Sequence, residues 1–326
     1  MFMSISLLVI LIGFSLCIGR IHLSLITVGK CLLSSINIIH YHNSLAHEII
    51  FSLRMPRIIA AIIIGAALSL AGTSYQAILQ NPLVSPDFLG VSNGAALGAA
   101  LAIILNLNIW CTQLLAFTIG LLAVLIALVI KKSLKSSKLI TLVLSGMIIS
   151  SFMQACLGLV KYLADPENQL PNIVYWQLGS LEKISWNNLK IYLPIIIIAV
   201  TIIFILRWRM NVLSLPDQQT TTIGINRTLE TLIIIILATI LTACSICLSG
   251  PIGWIGLIIP HISRLIIGNN NQKLIPFSII LGSCFLLFID TIARSISVGE
   301  IPLSILTGFI GAPLFIWILI KNRRQL

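Results

Sequence analysis

A few residue groups in the sequence have the types and spacing that chemistry needs. Gly90-Val-Ser92-Asn-Gly94 satisfies the G-x-S-x-G pattern, so an intramembrane serine hydrolase with Ser92 as nucleophile and His261 as base is one hypothesis. A nucleophile elbow requires a strand before its turn, whereas this stretch opens a helix after a proline-rich loop, and we expect no buried Asp to orient the His. The hydrolase is therefore an alternative, and a hydrogen bond between neighbouring helices explains His261 better.

Metal, redox and nucleotide sites find little support. Cys244-Ser-Ile-Cys247 has the C-x-x-C spacing without a second pair, which favours plain helix packing. His47-Glu48, in a loop that also contains His40 and His42, lacks the second His of H-E-x-x-H, so a solvated loop is favoured over a metal site. The sequence contains no G-x-x-x-x-G-K-[ST] cradle for phosphate. We therefore predict no bound cofactor or metal and no enzyme activity in this chain.

Composition excludes a soluble protein. Of 326 residues, 58% are hydrophobic and only 9% are charged, and the mean hydropathy is +1.08, whereas a soluble domain is about 25% charged. The net charge of +11 would suggest nucleic acid in a soluble protein, but here the cations stand between apolar runs and indicate orientation in a lipid bilayer. We predict one transmembrane domain over 1–326 and no nucleic-acid partner.

The apolar runs predict an all-α polytopic protein with about ten spanning helices, since each span needs about 20 residues. An even number of spans places both termini on one side, and the basic tail at Lys321, Arg323 and Arg324 places that side in the cytoplasm. Cations at the outer end of the first run argue against this orientation. The runs are 3–19 (which can be extended to 28), 56–79, 92–107, 111–130, 139–160, 189–207, 228–248, 252–268, 274–293 and 303–320.

Two connectors between these runs are long. Residues 161–188 are predicted outside, with an interfacial turn at Leu178–Leu181. Residues 207–227 are predicted inside, where Pro216 and Asp217 are typical of a first helical turn and Gly224 of a helix stop. The short helix between them is either a connecting turn or a docking element for a cytosolic partner.

Small and helix-breaking residues are clustered. Gly65 and Gly72 share one helix face, and Gly90, Gly94 and Gly98 form a double G-x-x-x-G run, which is typical of closely packed spans. Breaks at Asn81-Pro82 and at Gly250-Pro251 precede the two shortest interior runs. Short segments interrupted by Gly or Pro indicate a transport path, so Asn81, Pro82 and His261 are candidates for its lining. An ion-gradient-driven secondary transporter is a second alternative.

Long, ordered stretches of the sequence match one family signature, and with the ten-run layout they cover nearly the whole chain. The chain resembles the permease subunits of type II ABC importers, which carry ferric siderophores, haem, cobalamin and related metal chelates. The stretches are Arg54-Met-Pro56-Arg57, GAALSLAG (65–72), Gln80-Asn81-Pro82-Leu83, LGVSNGAALG (89–98), SGPIGWIGLIIPHISRL (249–265), Asp290-Thr-Ile-Ala-Arg294, Glu300-Ile-Pro302-Leu303 and GAPLFIWILIKNRR (311–324).

This resemblance implies a homodimer in the bacterial inner membrane, powered by a separate ABC ATPase dimer that binds ATP and magnesium. It also implies a periplasmic substrate-binding protein, whose acidic residues would dock on Arg54, Arg57 and Arg294; lipid headgroup anchoring is the alternative role of these arginines. The ATPase coupling helix maps onto 215–224. No residue identifies the transported chelate.

The match is uneven around the predicted coupling helix and gate. Leu215, Gly224 and Arg227 fit the family pattern, whereas Pro216-Asp217 stands where a Gly-Glu pair is usual. A cytoplasmic gate is expected beside the 131–141 loop, with Thr141 as its candidate residue. The location of the coupling helix is therefore predicted, but the detail of its docking surface is not.

Overall fold

The computed structural model describes residues 1–35, 38, 43–134, 139–215, 224–297 and 299–321, and within these ranges it contains helices and no strand. The described helices are α1 (Phe2–Cys17), α2 (Leu25–Ser35), α3 (Ser44–Glu48), α4 (Met55–Leu79), α5 (Val91–Ile104), α6 (Ile109–Ser133), α7 (Leu139–Leu163), α8 (Gln169–Leu178), α9 (Trp186–Leu213), α10 (Arg227–Ser249), α11 (Ile255–Ile267), α12 (Asn271–Ile296) and α13 (Leu303–Lys321). A π-helical turn, Ile49–Arg54, joins α3 to α4, and a 3₁₀ turn, Pro86–Leu89, precedes α5.

Local sequence signals explain where these helices begin and end. Asn108, Ser185 and Asn226 precede α6, α9 and α10, and each side chain accepts a hydrogen bond from a backbone N–H in the first turn. Helix α4 has a proline in its first turn and ends at Gln80, which adopts the left-handed conformation with φ of 50°.

Every one of the ten predicted runs lies on a helix, so the all-helical prediction is confirmed within the described residues. Six described segments are long and apolar enough to cross a membrane, and α1, α2, α5, α11 and most of α13 are shorter apolar helices. The six are Ser44–Leu79, Ile109–Ser133, Leu139–Leu163, Trp186–Leu213, Arg227–Ser249 and Asn271–Ile296.

The structure corrects one prediction about the connecting segments and adds a helix to another segment. The first run does not extend to 28, because α1 ends at Cys17, Ile18 is extended and a separate helix follows. The 161–188 connector contains α8, and the turn after α8 packs against the protein, while its position at the membrane interface stays a prediction. Leu181 is fully buried there, and the N–H of Ser180 donates to the carbonyl of Ser249 at 2.7 Å.

The protein core is formed by α4, α10 and α12. In an apolar stretch of 18 residues from each of their segments, 78%, 72% and 61% of the stretch is buried, against 33% or less for α6, α7 and α9. Glycines allow the central helices to touch. A Cβ at Gly65 would lie 2.3 Å from the carbonyl oxygen of Gly282 on α12, and one at Gly72 would lie 1.9 Å from that of Gly256 on α11. The small-residue pattern therefore serves helix packing, as predicted.

Helix α4 runs through the bundle, and its two ends define two regions. One end, which we call the cluster end because several arginines meet there, contains Met55 together with the last turns of α1 and α12, which Arg54 and Arg57 contact. The other end, which we call the connector end because the 207–227 connector begins there, contains Leu79 together with the last turn of α9 and the start of α12, which meet through Asn211 and Asn270. The predicted site residues fall largely into these two regions.

Candidate functional site

The cluster end is built around a buried ion-pair network. Arg57 donates from Nε to Asp290 Oδ1 at 2.9 Å and from Nη1 to Glu300 Oε1 at 2.9 Å. Asp290 is fully buried, and Arg57 and Glu300 are each 9% exposed. A guanidinium held between two carboxylates satisfies the strict geometry that a charge needs inside a protein. Arg57 therefore joins α4 to α12 and to the segment that follows α12.

Arg54 and Arg294 complete this cluster through the end of α1. Arg54 donates to the backbone carbonyls of Leu16 and Ile21. Arg294 donates to the carbonyl and hydroxyl oxygens of Ser15, and its Nε lies 3.8 Å from Asp290 Oδ2. The structure thus brings the three predicted arginines together, but it also buries them, with 5 to 9% exposure. Their docking role stays a prediction.

Sequence reasoning missed the partners of these arginines. Asp290 and Glu300 are 233 and 243 residues away from Arg57 along the chain, so no local spacing could pair them. A signal did exist, because an acid such as Asp290 within an apolar run is rare and usually has a partner. Arg20, whose side chain is 52% exposed, lies 3.8 Å from Glu300 and marks the solvent edge of the cluster.

At the connector end, a neutral amide links several elements. Gln76 donates from Nε2 to the carbonyl of Val84 at 3.1 Å and to that of Leu257 at 3.3 Å, and its Oε1 accepts a hydrogen bond from Arg264. One glutamine therefore links α4, α11 and the loop that contains Asn81 and Pro82.

The predicted path residues in that loop lie beside this link. Asn81 is exposed, and its side chain accepts a hydrogen bond from the Leu83 N–H at 2.9 Å. Pro82 follows it at a half-buried position. The side chain of Asn81 thus shapes its own turn, and lining of the transport path by either residue stays a prediction.

The start of the predicted coupling segment is attached to the helix bundle. Gln80 donates to the carbonyls of Leu213 at 3.4 Å and Ser214 at 3.2 Å, and Arg227 donates to that of Leu215 at 3.4 Å. Gly224 has φ of 79°, which suits the helix stop predicted there. Pro216 and Asp217 lie outside the described residues.

Further contacts fix the helices on either side of this segment. Asn211 near the end of α9 donates to Asn270 at 2.9 Å, and its Oδ1 accepts from the N–H of Asn271 at 2.8 Å. Arg209 forms an ion pair with Glu230 on α10. The connector therefore joins α9 and α10 where they also contact α4 and α12.

The structure does not bring the proposed hydrolase residues into a bonded group. Ser92 donates to the carboxylate of Asp87, which lies in the turn just before α5. The Nδ1 atom of His261 is buried without a partner among the described residues, and its ring meets that of Phe315 edge-on at 5.7 Å. The expectation that no Asp is buried is wrong, but Asp290 is engaged by Arg57.

The remaining candidates stay separate from these groups. Thr141 lies in the first turn of α7, where its carbonyl accepts from the hydroxyl of Ser145 at 2.8 Å. Cys244 and Cys247 are buried free thiols, and Cys247 Sγ contacts the carbonyl of Gln113 at 3.3 Å, in keeping with helix packing. His40 and His42 lie outside the described residues.

Comparison with known proteins gives one consistent result. The model of the FecCD transport family matches residues 7–321. The molybdate import system permease protein MolB of Haemophilus influenzae is 38% identical over 320 residues, covering 98% of this chain and 94% of that protein. A probable iron chelatin transport system permease protein of Helicobacter pylori is 41% identical over 276 residues, covering 84% and 83%.

A further relative and a solved structure agree with this result. The hemin transport system permease protein HmuU of Yersinia pestis is 31% identical over 289 residues, covering 87% of this chain and 86% of that protein. A metal-chelate type ABC transporter in an inward-facing conformation superposes with a TM-score of 0.86 at 36% identity, covering 98% of both chains.

Proposed function

The chain belongs to the FecCD transport family, and from that premise we propose how its parts act. It is the permease subunit of a metal-chelate or siderophore type ABC importer and a multi-pass inner-membrane protein. The observation that carries this function is the match of nearly the whole chain, in sequence and in fold, to such permeases. A serine hydrolase and a secondary transporter are not supported.

We propose that ten helices span the membrane and that the cluster end faces outside, with both termini in the cytoplasm. The agreement of the ten apolar runs with ten helices supports this topology, and the basic tail supports the orientation. We also propose a homodimer. Large apolar side chains of α7 and α13, such as Phe152, Phe309 and Trp317, are exposed in the single chain and suit contact with lipid or a second copy.

Docking of a periplasmic binding protein on the cluster end is the next part of the proposal. Four arginines lie at this end (Arg20, Arg54, Arg57 and Arg294), and three of them pair with the two carboxylates of Asp290 and Glu300. The cluster therefore has an excess of two positive charges for an acidic partner. Arg54 donates hydrogen bonds to two backbone carbonyls. A carboxylate of a partner would be a stronger acceptor for the same donors. Arg57 and Arg294 would act mainly by shaping the cluster.

Coupling to an ABC ATPase dimer is proposed at the connector end. Residues 215–224, bounded by Leu215 and Gly224, would contact the ATPase, and Gln80 and Arg227 would transmit its motion to α4 and α10. Asn81, Pro82 and His261 are proposed for the transport path, and Thr141 for the cytoplasmic gate. ATP and magnesium would stay on the ATPase.

The transported ligand is proposed to be a ferric siderophore or a related metal chelate. Relatives of comparable similarity are named for molybdate, iron chelatin and hemin transport. Their diversity agrees with selectivity that resides in the binding protein more than in the permease. An uptake screen over ferric siderophores, haem, cobalamin and molybdate in a deletion strain would identify the ligand.

Reconstitution tests the function as a whole. The permease, its ATPase and the loaded binding protein are assembled in liposomes, and we expect ligand uptake that requires hydrolysable ATP. Uptake driven by an ion gradient without the ATPase would contradict the proposal. Ser92→Ala should leave uptake intact, because Ser92 has no chemical role in transport.

Binding-protein affinity tests the docking site. Arg54→Glu with Arg294→Glu should weaken it about tenfold or more, since like charges would meet across the interface. Because both residues are buried, folding of this variant must be checked, and the exposed Arg20→Glu should weaken affinity while leaving the hydrogen bonds of Arg54, Arg57 and Arg294 in place. Lys190→Glu, an exposed cation on α9, is the matched control. Unchanged affinity in both cluster variants would overturn docking at this end.

A further inference from the structure

The chain between α10 and α11, residues 250–254, forms the second of the two breaks that the sequence predicts, and no part of the proposed function uses it. Its first half is tightly packed. An added Cβ at Gly250 would lie 2.5 Å from the carbonyl oxygen of Trp176 on α8. The carbonyl of Pro251 accepts from the hydroxyl of Ser304 at 2.6 Å. The first half of the break is therefore fixed to α8 and to the start of α13.

The helix that follows the break is fixed to a different element, α4. The backbones touch where Gly72 of α4 meets Gly256 in the first turn of α11, a contact that small residues allow. One residue further along α11, the carbonyl of Leu257 accepts from the side-chain amide of Gln76 on α4 at 3.3 Å. The two sides of the break are therefore held by separate parts of the bundle, and a movement between those parts must pass through the residues that join them.

Gly253 lies between these two fixed parts and is sterically free. An added Cβ at this position would meet no atom within 4 Å among the described residues, and its φ lies outside the left-handed range. The conformation that the structure shows therefore does not require glycine at 253. A hinge does favour such a residue, because a few residues at the end of an element must absorb a large change in φ and ψ.

The next residue, Trp254, has a backbone conformation that a bulky side chain rarely adopts. Its φ is 72° and its ψ is −33°. The N–H of Ile255 donates to the carbonyl of Gly253 at 3.0 Å and closes a γ-turn around Trp254. A left-handed conformation is strained for a side chain of this size, and such strain persists only where the surrounding structure holds the residue in place.

The side chain of Trp254 is held by a glycine face of α13. An added Cβ at Gly311 would lie 3.0 Å from the Cβ of Trp254 and 2.6 Å from Cδ1 of Ile258. An added Cβ at Gly308, one turn earlier, would lie 3.7 Å from the indole Nε1. We call the contact of Trp254 with Gly308 and Gly311 the α11–α13 seam. The strained turn is therefore maintained by a helix other than its own.

We propose that Gly253 and Trp254 form a hinge between α10 and α11, and that the α11–α13 seam holds this hinge in the conformation that the structure shows. When α13 shifts along the seam, the turn at Trp254 relaxes and α11 changes its angle to α10. Trp254 is thus a positioning residue, which links α13 to the helix that carries the predicted path residue His261. This inference rests on the proposed function, because alternating access in a permease requires such a movement.

A reversible cross-link across the seam tests the movement. Trp254→Cys combined with Gly311→Cys places two Cβ atoms 3.0 Å apart, and a small shift reaches the distance of about 3.5–4.5 Å that a disulfide needs. In the reconstituted system, oxidation of this pair should lower uptake about tenfold or more, and reduction should restore it. The wild type, with its seven native cysteines, and the two single variants receive the same treatment as controls. Full uptake with the cross-link formed, or failure of the pair to cross-link, would overturn the proposal.

Gly253→Ala tests the hinge without changing the seam. Because the added Cβ fits the structure, the unfolding temperature should equal that of the wild type or be slightly higher. The maximal uptake rate should nevertheless fall about threefold or more, with an unchanged KM for the loaded binding protein, because the backbone loses freedom that a later step needs. Gly29→Ala in α2, where an added Cβ is equally unhindered, is the matched control. A Gly253→Ala protein that transports as fast as the wild type would contradict a hinge at this position.

Hydrogen–deuterium exchange of the purified chain in detergent tests the hinge without transport. The amides of Ile255, Leu257 and Ile258 bond to the carbonyls of the turn. Trp254→Ala keeps the strained backbone but loses the ring that holds it, so exchange in the peptide 255–258 should rise about tenfold. Trp254→Phe, which keeps a ring on the glycine face, should retain the protection of the wild type.

The exchange result separates failure of the hinge from failure of the proposed function. Trp208→Ala, at a half-exposed tryptophan on α9, is the control and should leave exchange in 255–258 unchanged. If Trp254→Ala also leaves it unchanged, the seam does not hold the turn, and the hinge is wrong even where ATP-dependent uptake is normal. If the wild type shows no ATP-dependent uptake, the proposed function is wrong, while raised exchange in Trp254→Ala would still support the hinge.

Discussion

The cluster end and the connector end each contain an arginine that is at least half-buried, but the two arginines have different hydrogen-bond partners. Arg57 lies between the carboxylates of Asp290 and Glu300. Arg264 is half-buried, donates to the neutral amide of Gln76, and has no carboxylate within 4 Å among the residues that the structure describes. Paired charges are costly to separate, whereas neutral hydrogen bonds to backbone are readily exchanged. The connector end also contains the ion pair of Arg209 with Glu230, but the side chain of that arginine is 49% exposed, so we expect the cluster end to be the more rigid of the two.

The largest expected effect comes from breaking the charged network. Arg57→Met should lower the free energy of unfolding by about 3–5 kcal/mol, because it removes the guanidinium that hydrogen-bonds both buried carboxylates and leaves them only the more distant Arg294 and Arg20, each at 3.8 Å. Unfolding by sodium dodecyl sulfate in mixed micelles measures this loss. Arg20→Met, at the exposed edge of the same cluster, is the control and should cost less than about 1 kcal/mol. Equal losses in the two variants would contradict a buried network at this end.

A compensating variant sharpens this result. Asp290→Asn added to Arg57→Met should restore about half of the lost stability or more, since it removes a full negative charge from a completely buried position. The same unfolding measurement, arranged as a double-mutant cycle, gives the coupling energy between the two residues. Additive losses would show that the two side chains do not depend on each other.

The helices of both regions were predictable from the sequence, whereas their connections were not. Runs such as 56–79 and 228–248 are apolar, long and bounded by charge or proline, so their hydropathy alone identifies them. Helix α8 was missed because Gln169–Leu178 is short and mixes polar and apolar residues around Pro171. Hydrophobicity determines where a span lies, but says little about a ten-residue helix that is held by its neighbours.

The site was predictable only as separate residues. Arg54, Arg57 and Arg294 were singled out from the sequence and lie together in the structure, yet their partners were missed because contacts across more than 200 residues leave no periodic signal. Gln76, which links three elements of the connector end, was missed for the same reason. A glutamine in a helix is unremarkable until the structure shows that it is 2% exposed.

Arg264→Met tests the other half of the comparison. The change leaves the Oε1 atom of Gln76 without its donor but also removes a cation that lacks a carboxylate partner, so the two effects largely offset each other. We expect a loss of about 1 kcal/mol or less in the same unfolding assay. A loss as large as that of Arg57→Met would show that both ends are equally rigid and would remove the contrast.

The smallest effect on stability, with a clear effect on coupling, is expected from Gln80→Asn. Asparagine tolerates the left-handed backbone found at this position but cannot reach the carbonyls of Leu213 and Ser214. Stability should therefore change by less than about 0.5 kcal/mol, because Gln80 is exposed. Uptake per ATP hydrolysed should fall about fivefold, which corresponds to a coupling free energy of about 1 kcal/mol. Gln272→Asn, an exposed glutamine at the same end, controls for the substitution itself. If Gln80→Asn leaves uptake per ATP hydrolysed unchanged, the hydrogen bonds from the Gln80 side chain to the end of α9 play no part in transport. Motion of the connector must then reach the spans through α9 and α10 alone.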